Sequence, residues 1–153
     1  MEALGIAASI LQVATVGVQV GSALGICSSK LYHANKELES LAKQVEATSL
    51  ALNSVAGLLQ SLGMKASPFT TFHDDIDSVS QGCQKIFDQL TEGVNSFEQK
   101  CDKGKYRLQA FAKIKWLVKE SELIGLRNAL KHYMDALQLM LSVLKVAQTE
   151  QAP

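Results

Sequence analysis

Proline is almost missing from this chain, which contains only Pro68 and Pro153 among 153 residues. Because proline removes a backbone hydrogen-bond donor and breaks helices, its scarcity leaves long stretches free to be helical. Apolar residues make up 47% of the sequence, a fraction too high for a disordered chain. The sequence therefore predicts one ordered all-α domain over residues 1–153, an antiparallel helical bundle of four to five helices.

Cysteine and histidine are also scarce, and neither type occurs in the close pairs that bind zinc or carry redox chemistry. Cys27, Cys83 and Cys101 are interpreted as small apolar residues, reduced in a cytosol-like compartment. The sequence has no motif that joins a nucleophile to a base, and no Gly-rich loop after a strand. It therefore predicts a protein that is not an enzyme, with no catalytic residue, no cofactor and no metal.

Three aspartates, Asp74, Asp75 and Asp77, form a short acidic run that could be a helix start or a chemical site. Thr71 followed by Asp74 resembles a capping box, and Asp75 and Asp77 add negative charge that a helix dipole favours. The pattern predicts that a helix starts there, with the carboxylates in its first turn. His73 beside Asp74 could act as an acid-base pair, and the carboxylates could hold a metal, but a solvated helix start accounts for both.

Charge is missing from the whole N-terminal stretch, since no charged residue occurs between Ala3 and Ser29. As a helix these 27 residues would be about 40 Å long, more than the ~30 Å hydrocarbon core of a bilayer. The stretch begins with Glu2 and no basic residue, which is unlike a signal peptide. It therefore predicts a helix that stays on the protein and, within a bundle, takes a central position with contacts on most sides.

The same stretch has a polar side, an apolar side and a row of glycines. The mildly polar stripe consists of Ser9, Gln12, Thr15, Gln19 and Ser22. The broad apolar face, which would be the inserting surface in a membrane, consists of Leu4, Ile6, Ile10, Leu11, Val13, Val18 and Leu24. Gly17, Gly21 and Gly25 each cost a helix about 1 kcal/mol relative to alanine. We expect them to form a smooth stripe for close helix packing, in the bundle or in lipid.

Three further amphipathic helices are indicated by apolar residues at three- and four-residue spacing. They cover about residues 31–63, 74–104 and 121–147, and a shorter piece occupies residues 105–119. The predicted apolar seams are Leu31, Leu38, Leu41, Val45, Thr48, Leu52, Val55, Leu59 and Leu62 in the first, Ile76, Val79, Cys83, Ile86 or Phe87, Leu90, Val94, Phe97 and Cys101 in the second, and Leu123, Leu126, Leu130, Tyr133, Leu137, Leu141 and Leu144 in the third. Short turns between long amphipathic helices favour antiparallel packing.

Positive charge is concentrated in one segment. Residues 100–119 contain seven basic residues and one acidic residue, so they carry plus six against minus six in the remainder. Aromatic residues are interleaved with these cations, as at membrane interfaces. The residues expected to contact anionic lipid are Lys105, Arg107, Lys113, Lys115, Trp116 and Lys119. A solvated basic face around a core tryptophan is the alternative, and nucleic acid is disfavoured because the segment has no recognisable reading motif.

The chain resembles the fungal HeLo-like N-terminal domains that precede NACHT or other nucleotide-binding modules in STAND-type immune receptors. The resemblance rests on the start, MEALGIAASILQVATVGVQVGSAL, followed by a long heptad helix, and on the late segment KIKWLVKESELIGLRNALKHYMDALQLMLSVL. It implies a helical bundle that acts in programmed cell death or heterokaryon incompatibility, similar to the membrane-permeabilising bundle of necroptosis executioners. It also implies that the first helix, Leu4 to Leu24 here, leaves the bundle on activation and enters the membrane.

Together these features predict a membrane-targeting, cell-death-inducing bundle that is cytoplasmic at rest and relocates to the plasma membrane on activation. Its partners would be anionic membrane lipids, further copies of itself in a homo-oligomer, and an upstream nucleotide-binding receptor, with no nucleic acid. The alternative is a soluble oligomerisation or interaction adaptor of a signalling receptor, whose first helix never leaves the core. The chain is expected to be either an excised domain or a free-standing protein.

Reversing three charges in the basic segment tests the expected lipid contact. Replacing Lys113, Lys115 and Lys119 by glutamate should sharply lower cosedimentation with anionic vesicles, because each lysine near such a surface contributes about 1 kcal/mol. Binding of the parent should weaken as salt concentration rises. Vesicles of neutral phosphatidylcholine are the control. If the triple variant sediments like the parent, the segment has no part in lipid recognition.

Overall fold

The structure is a computed structural model, and it describes residues 2–30, 36–62, 70–101 and 120–151. Side chains are described for residues 5–26, 38–62, 72–95 and 124–150. All of the described residues are α-helical, and no strand occurs among them. The helices are α1 (Glu2–Lys30), α2 (Lys36–Leu62), α3 (Thr70–Cys101) and α4 (Glu120–Gln151). The predicted all-α bundle is confirmed. The predicted shorter piece over residues 105–119 lies outside the described residues.

The four described helices form a ring in the order α1, α2, α4, α3, in which each helix packs mainly against its two neighbours. The most extensive interface joins α1 and α2. These two helices are antiparallel, because Gly17 of α1 faces Ser49 of α2 while Gly21, one turn later, faces Val45, one turn earlier. This antiparallel packing is the one predicted for consecutive long helices.

Hydrogen bonds define the register of α2 and α4. Arg127 Nη2 donates to Ser40 Oγ over 3.2 Å, and Gln148 Nε2 donates to Ser61 Oγ over 3.3 Å. Gln44 Nε2 also donates to the carbonyl of Arg127 over 3.4 Å. In both side-chain pairs the two residues are 87 positions apart, so α2 and α4 run parallel in constant register. The bundle is thus antiparallel between α1 and α2 and parallel between α2 and α4.

The described core is mainly aliphatic, and it encloses the fully buried ring of Phe87 on α3 and the buried ring of His73. The other large side chains that are fully buried are Ile10, Leu24, Leu38, Leu41, Leu52, Leu59, Ile76, Leu90, Leu130 and Leu137. All of them occupy positions that the three-four spacing predicts to be apolar seams. Each such side chain contributes roughly 1.5–3 kcal/mol on burial, so these seams are the main stabilising term of the bundle.

α1 does not take the central position that its composition predicts. It packs against α2 and α3 and leaves its remaining side in solvent. The exposed residues include the whole predicted polar stripe, Ser9, Gln12, Thr15, Gln19 and Ser22. Burying these polar groups would require hydrogen-bond partners, so solvent is the less costly environment for that side.

The start of α3 also differs from the prediction. The helix begins at Thr70, so Thr71 lies inside its first turn and cannot be the N-cap of a capping box. The first turn contains no acidic residue, and Asp74 follows it. The reason is that the helix continues towards its N-terminus through Phe72, which packs against the core, and His73, which is buried.

Two glycines form a matched pair for testing the packing of α3 on α4. A Cβ on Gly82 would lie 2.9 Å from Cε1 of Tyr133, whereas nothing lies within 4 Å of a Cβ on Gly57. We expect Gly82→Ala to lower the free energy of unfolding by about 1 kcal/mol, because overpacking exceeds the gain in helix propensity. Gly57→Ala should raise it by about 0.5–1 kcal/mol. Urea denaturation measures both values, and equal effects would show that Tyr133 does not contact Gly82.

Candidate membrane-inserting helix

α1 is the described helix that is long and apolar enough to cross a bilayer, over residues Gly5–Ile26. These 22 residues span about 33 Å as a helix, which matches a hydrocarbon core of ~30 Å. In an 18-residue window of this segment, 39% of the residues are buried within the bundle, and the others lie at least partly in solvent.

The inward side of α1 follows a seven-residue repeat. One row contains Ala7, Ala14 and Gly21, a second contains Ile10, Gly17 and Leu24, and Val13 and Val20 lie beside them. All eight residues are buried. The sequence interpretation missed the two alanines and Val20, although their spacing of seven, shared with Ile10, Gly17 and Leu24, is a signal of a helix seam.

The predicted inserting residues divide between this inward side and its edges. Ile10 and Leu24 are fully buried and Val13 nearly so, while Ile6 and Leu11 are partly buried against the core. Val18 departs from the predicted face: it is 53% exposed, because it follows Gly17 by one residue and so projects about 100° away around the helix. The side chain of Leu4 lies outside the described residues.

Gly17 is the point at which α1 meets two helices at once. A Cβ on this residue would overlap the hydroxyl of Ser49 on α2 and lie 2.7 Å from Cε2 of Phe87 on α3. Ser49 Oγ is itself engaged, since it donates to the carbonyl of Val45 over 2.8 Å. Only glycine fits at residue 17 without a displacement of its neighbours.

Of the two other glycines of α1, Gly21 is closely packed as expected and Gly25 is not. A Cβ on Gly21 would lie 3.0 Å from Cγ of Glu46 and 3.5 Å from Cγ1 of Val45. Gly25 faces solvent, and nothing lies within 4 Å of a Cβ placed there. The close-packing stripe therefore consists of Gly17 and Gly21 and does not include Gly25, because residue 25 follows the inward row by one position.

Apolar burial and steric fit hold α1 in place. Within the described part of the chain, the side chains of residues 5–25 make no hydrogen bond or ion pair with another helix. Thr15 of α1 and Thr48 and Ser49 of α2 donate to carbonyls of their own helices, over 2.9, 2.7 and 2.8 Å. The separation of α1 from α2 would consequently break no side-chain hydrogen bond of these residues.

The predicted lipid-contacting residues, Lys105, Arg107, Lys113, Lys115, Trp116 and Lys119, all lie outside the described residues. Their contact with anionic lipid stays a prediction that rests on the charge of the segment.

His73 is not part of a solvated helix start. Only 5% of the residue is exposed, and neither ring nitrogen has a hydrogen-bond partner. Its neighbours Asp74 and Asp75 are exposed. The imidazole thus lies inside the bundle while the carboxylates face water, which separates the residues of the supposed acid-base pair.

Cys83 occupies a core position. Burial raises the pKa of its thiol from 9.0 to about 12, because the thiolate would lose its hydration. The thiol therefore stays protonated and unreactive near neutral pH. Among the residues whose side chains are described, no group of three or more histidine, cysteine, aspartate or glutamate residues is placed to hold a metal.

These observations define an all-α helical-bundle domain whose first helix is uncharged over residues 3–29 and packs on α2 and α3. One protein family, described as pigment biosynthesis cluster protein PigL N-terminal, matches residues 1–152. The chain belongs to this family, which is a family of fungal N-terminal domains. No curated protein and no solved structure matches the chain.

Replacing His73 tests whether its burial destabilises the fold. Two buried nitrogens without partners each lose their hydration on folding, and leucine, of similar volume, removes both. We expect His73→Leu to raise the free energy of unfolding by about 1–2 kcal/mol in urea at pH 7. His73→Gln, which keeps a buried polar group, is the control and should give no gain. A less stable His73→Leu variant would mean that the ring has a polar partner in solution.

Proposed function

We propose that this domain permeabilises membranes in a cell-death pathway, and that α1 is the element that leaves the bundle and enters the bilayer. The observation that carries the proposal is that one helix combines sufficient length, a neutral sequence and a lack of side-chain hydrogen bonds to other helices in its described residues. α1 is uncharged from Ala3 to Ser29, is long enough to span over Gly5–Ile26, and has no side-chain polar bond to another helix in residues 5–25.

The energetics of transfer support this role. A single charged side chain at the middle of an inserted helix opposes insertion by roughly 2.5–3.5 kcal/mol, and α1 has none. The buried aliphatic residues of α1 have a similar environment in the core and in lipid, because lipid acyl chains replace the aliphatic side chains that they contact in the bundle. Thr15 already donates to a carbonyl of its own helix, so its hydroxyl needs no partner in the membrane.

The outward side of α1 fits self-association after insertion. Ser9, Gln12, Gln19 and Ser22 are exposed in the bundle. In lipid such neutral polar side chains hydrogen-bond between helices, and small residues let helix backbones approach closely. A homo-oligomer of inserted α1 helices is therefore part of the proposal.

The basic segment supplies the attraction to the membrane surface in this scheme. Its net charge of plus six, over residues 100–119, suits an anionic leaflet, which draws the domain from the cytoplasm to the plasma membrane. Activation by an upstream nucleotide-binding receptor and the HeLo-like type of cell-death activity are carried over from the family resemblance.

A second candidate function is a soluble adaptor that recruits partners through its surface. The fit of α1 at Gly17 favours it, because a helix seated so closely on Ser49 and Phe87 also suits a permanent core element. In that case α1 never leaves, and vesicles stay intact at any protein concentration.

A reversible disulfide between α1 and α2 separates these functions. In the variant Gly21→Cys with Glu46→Cys, the bridge is geometrically favourable. A Cβ on Gly21 lies 3.0 Å from the γ position of Glu46, and a disulfide places one Cβ about 3 Å from the other sulfur. Cys27→Ser and Cys101→Ser remove competing thiols, and Cys83 is buried. We expect the oxidised protein to leave anionic vesicles intact and the reduced protein to release trapped dye.

Glu46→Cys alone, treated with the same oxidant and reductant, is the control for this staple. It should release dye equally in both states. Equal leakage by the oxidised and reduced double variant would exclude α1 as the inserting element. A parent protein that releases no dye from anionic vesicles would favour the adaptor.

A further inference from the structure

We propose that Gly17 is a steric latch for α1: its contact with Ser49 and Phe87 keeps α1 seated only while residue 17 has no Cβ. A role of this latch in membrane insertion rests on the proposed function. The latch itself is a property of the resting bundle and can be measured without lipid.

Ser49 and Phe87, which contact Gly17, have no free space into which their side chains could move. Ser49 and Phe87 are 1% and 0% exposed. The Ser49 hydroxyl is engaged with the carbonyl of Val45 over 2.8 Å. The Phe87 ring is packed within the core, where interiors are dense and side chains have few alternative positions. A methyl group on residue 17 must therefore displace a backbone.

The backbone that moves is that of α1. α2 is tied to α4 by the Arg127 to Ser40 and Gln148 to Ser61 hydrogen bonds, which a shift of α2 would break. The described side chains of residues 5–25 have no such tie, and one side of the helix already faces solvent. Movement of α1 away from the bundle breaks no side-chain hydrogen bond of residues 5–25.

The three glycines of α1 provide a graded series for the same chemical change. At Gly17 a Cβ meets two enclosed residues, whereas at Gly21 the nearest atom is Cγ of Glu46, a flexible and exposed side chain. At Gly25 a Cβ meets nothing. Alanine should therefore release α1 at residue 17, be nearly neutral at residue 21, and strengthen the helix at residue 25.

Hydrogen exchange of the three alanine variants tests the latch. In Gly17→Ala, the amides of α1 should lose about 10- to 100-fold in protection while those of α2 and α4 keep theirs. Gly25→Ala should keep or increase the protection of α1. Adding Ser49→Ala to Gly17→Ala removes the overlapping hydroxyl and should restore part of the protection.

Either of two results on a folded Gly17→Ala variant would overturn the proposal. One is equal loss of protection in all helices, since residue 17 would then act on global stability. The other is unchanged protection of α1. Should Gly17→Ala fail to fold, Ser49→Thr adds one methyl group from the α2 side, keeps a hydroxyl, and should loosen α1 in the same selective way. Failure of both variants to fold would also overturn the latch.

Dye release from anionic vesicles, measured on the same variants, separates the latch from the proposed function. Selective loss of α1 protection together with faster leakage supports both. Selective loss with no leakage upholds the latch and contradicts the membrane role.

Discussion

Three helices approach so closely at Gly17 that no side chain fits between them, and the seating of α1 depends on this approach. Ser49 closes on the glycine from α2, and the fully buried ring of Phe87 closes on it from α3. With a larger residue at position 17, α1 could not lie in the groove between α2 and α3 at its present depth. The buried aliphatic residues of the helix would lose contact along with it, because a helix moves as a stiff rod.

The bundle uses two different kinds of contact between its helices. α2 and α4 are held in register by side-chain hydrogen bonds from Arg127, Gln44 and Gln148, in addition to their apolar seams. α1 is held by shape and apolar burial, and the hydroxyl of Thr15 donates to a carbonyl of its own helix. Breaking a part-buried hydrogen bond such as that from Arg127 to Ser40 leaves polar groups unpaired, whereas apolar contacts can be replaced by lipid. This division agrees with the proposal that α1 leaves the bundle.

The all-helical fold follows from local spacing, and it was therefore predictable. The fully buried large residues, among them Leu52, Leu90 and Leu137, all occupy the predicted seams. The predictions for the start of α3 and the position of α1 were wrong, because in each case the same sequence pattern fits two structures. The acidic run at Asp74 looks like a helix start, but Phe72 and His73 draw the helix onto the core before it. α1 was expected to be central, but its neutral polar stripe is stable in water, so that side of the helix need not be buried.

The sequence by itself determined where helices form and which residues of each helix are apolar, because helix periodicity depends only on residues that are close together in the chain. It also determined that residues 3–29 of the first helix carry no charge. Only the tertiary structure decided which glycines lie at a contact: Gly17 and Gly21 do, and Gly25 does not. It also decided that Val18 faces solvent. The physical reason is that each contact needs a partner from a distant part of the chain, such as Ser49 or Phe87, and the spacing within α1 carries no information about where that partner lies.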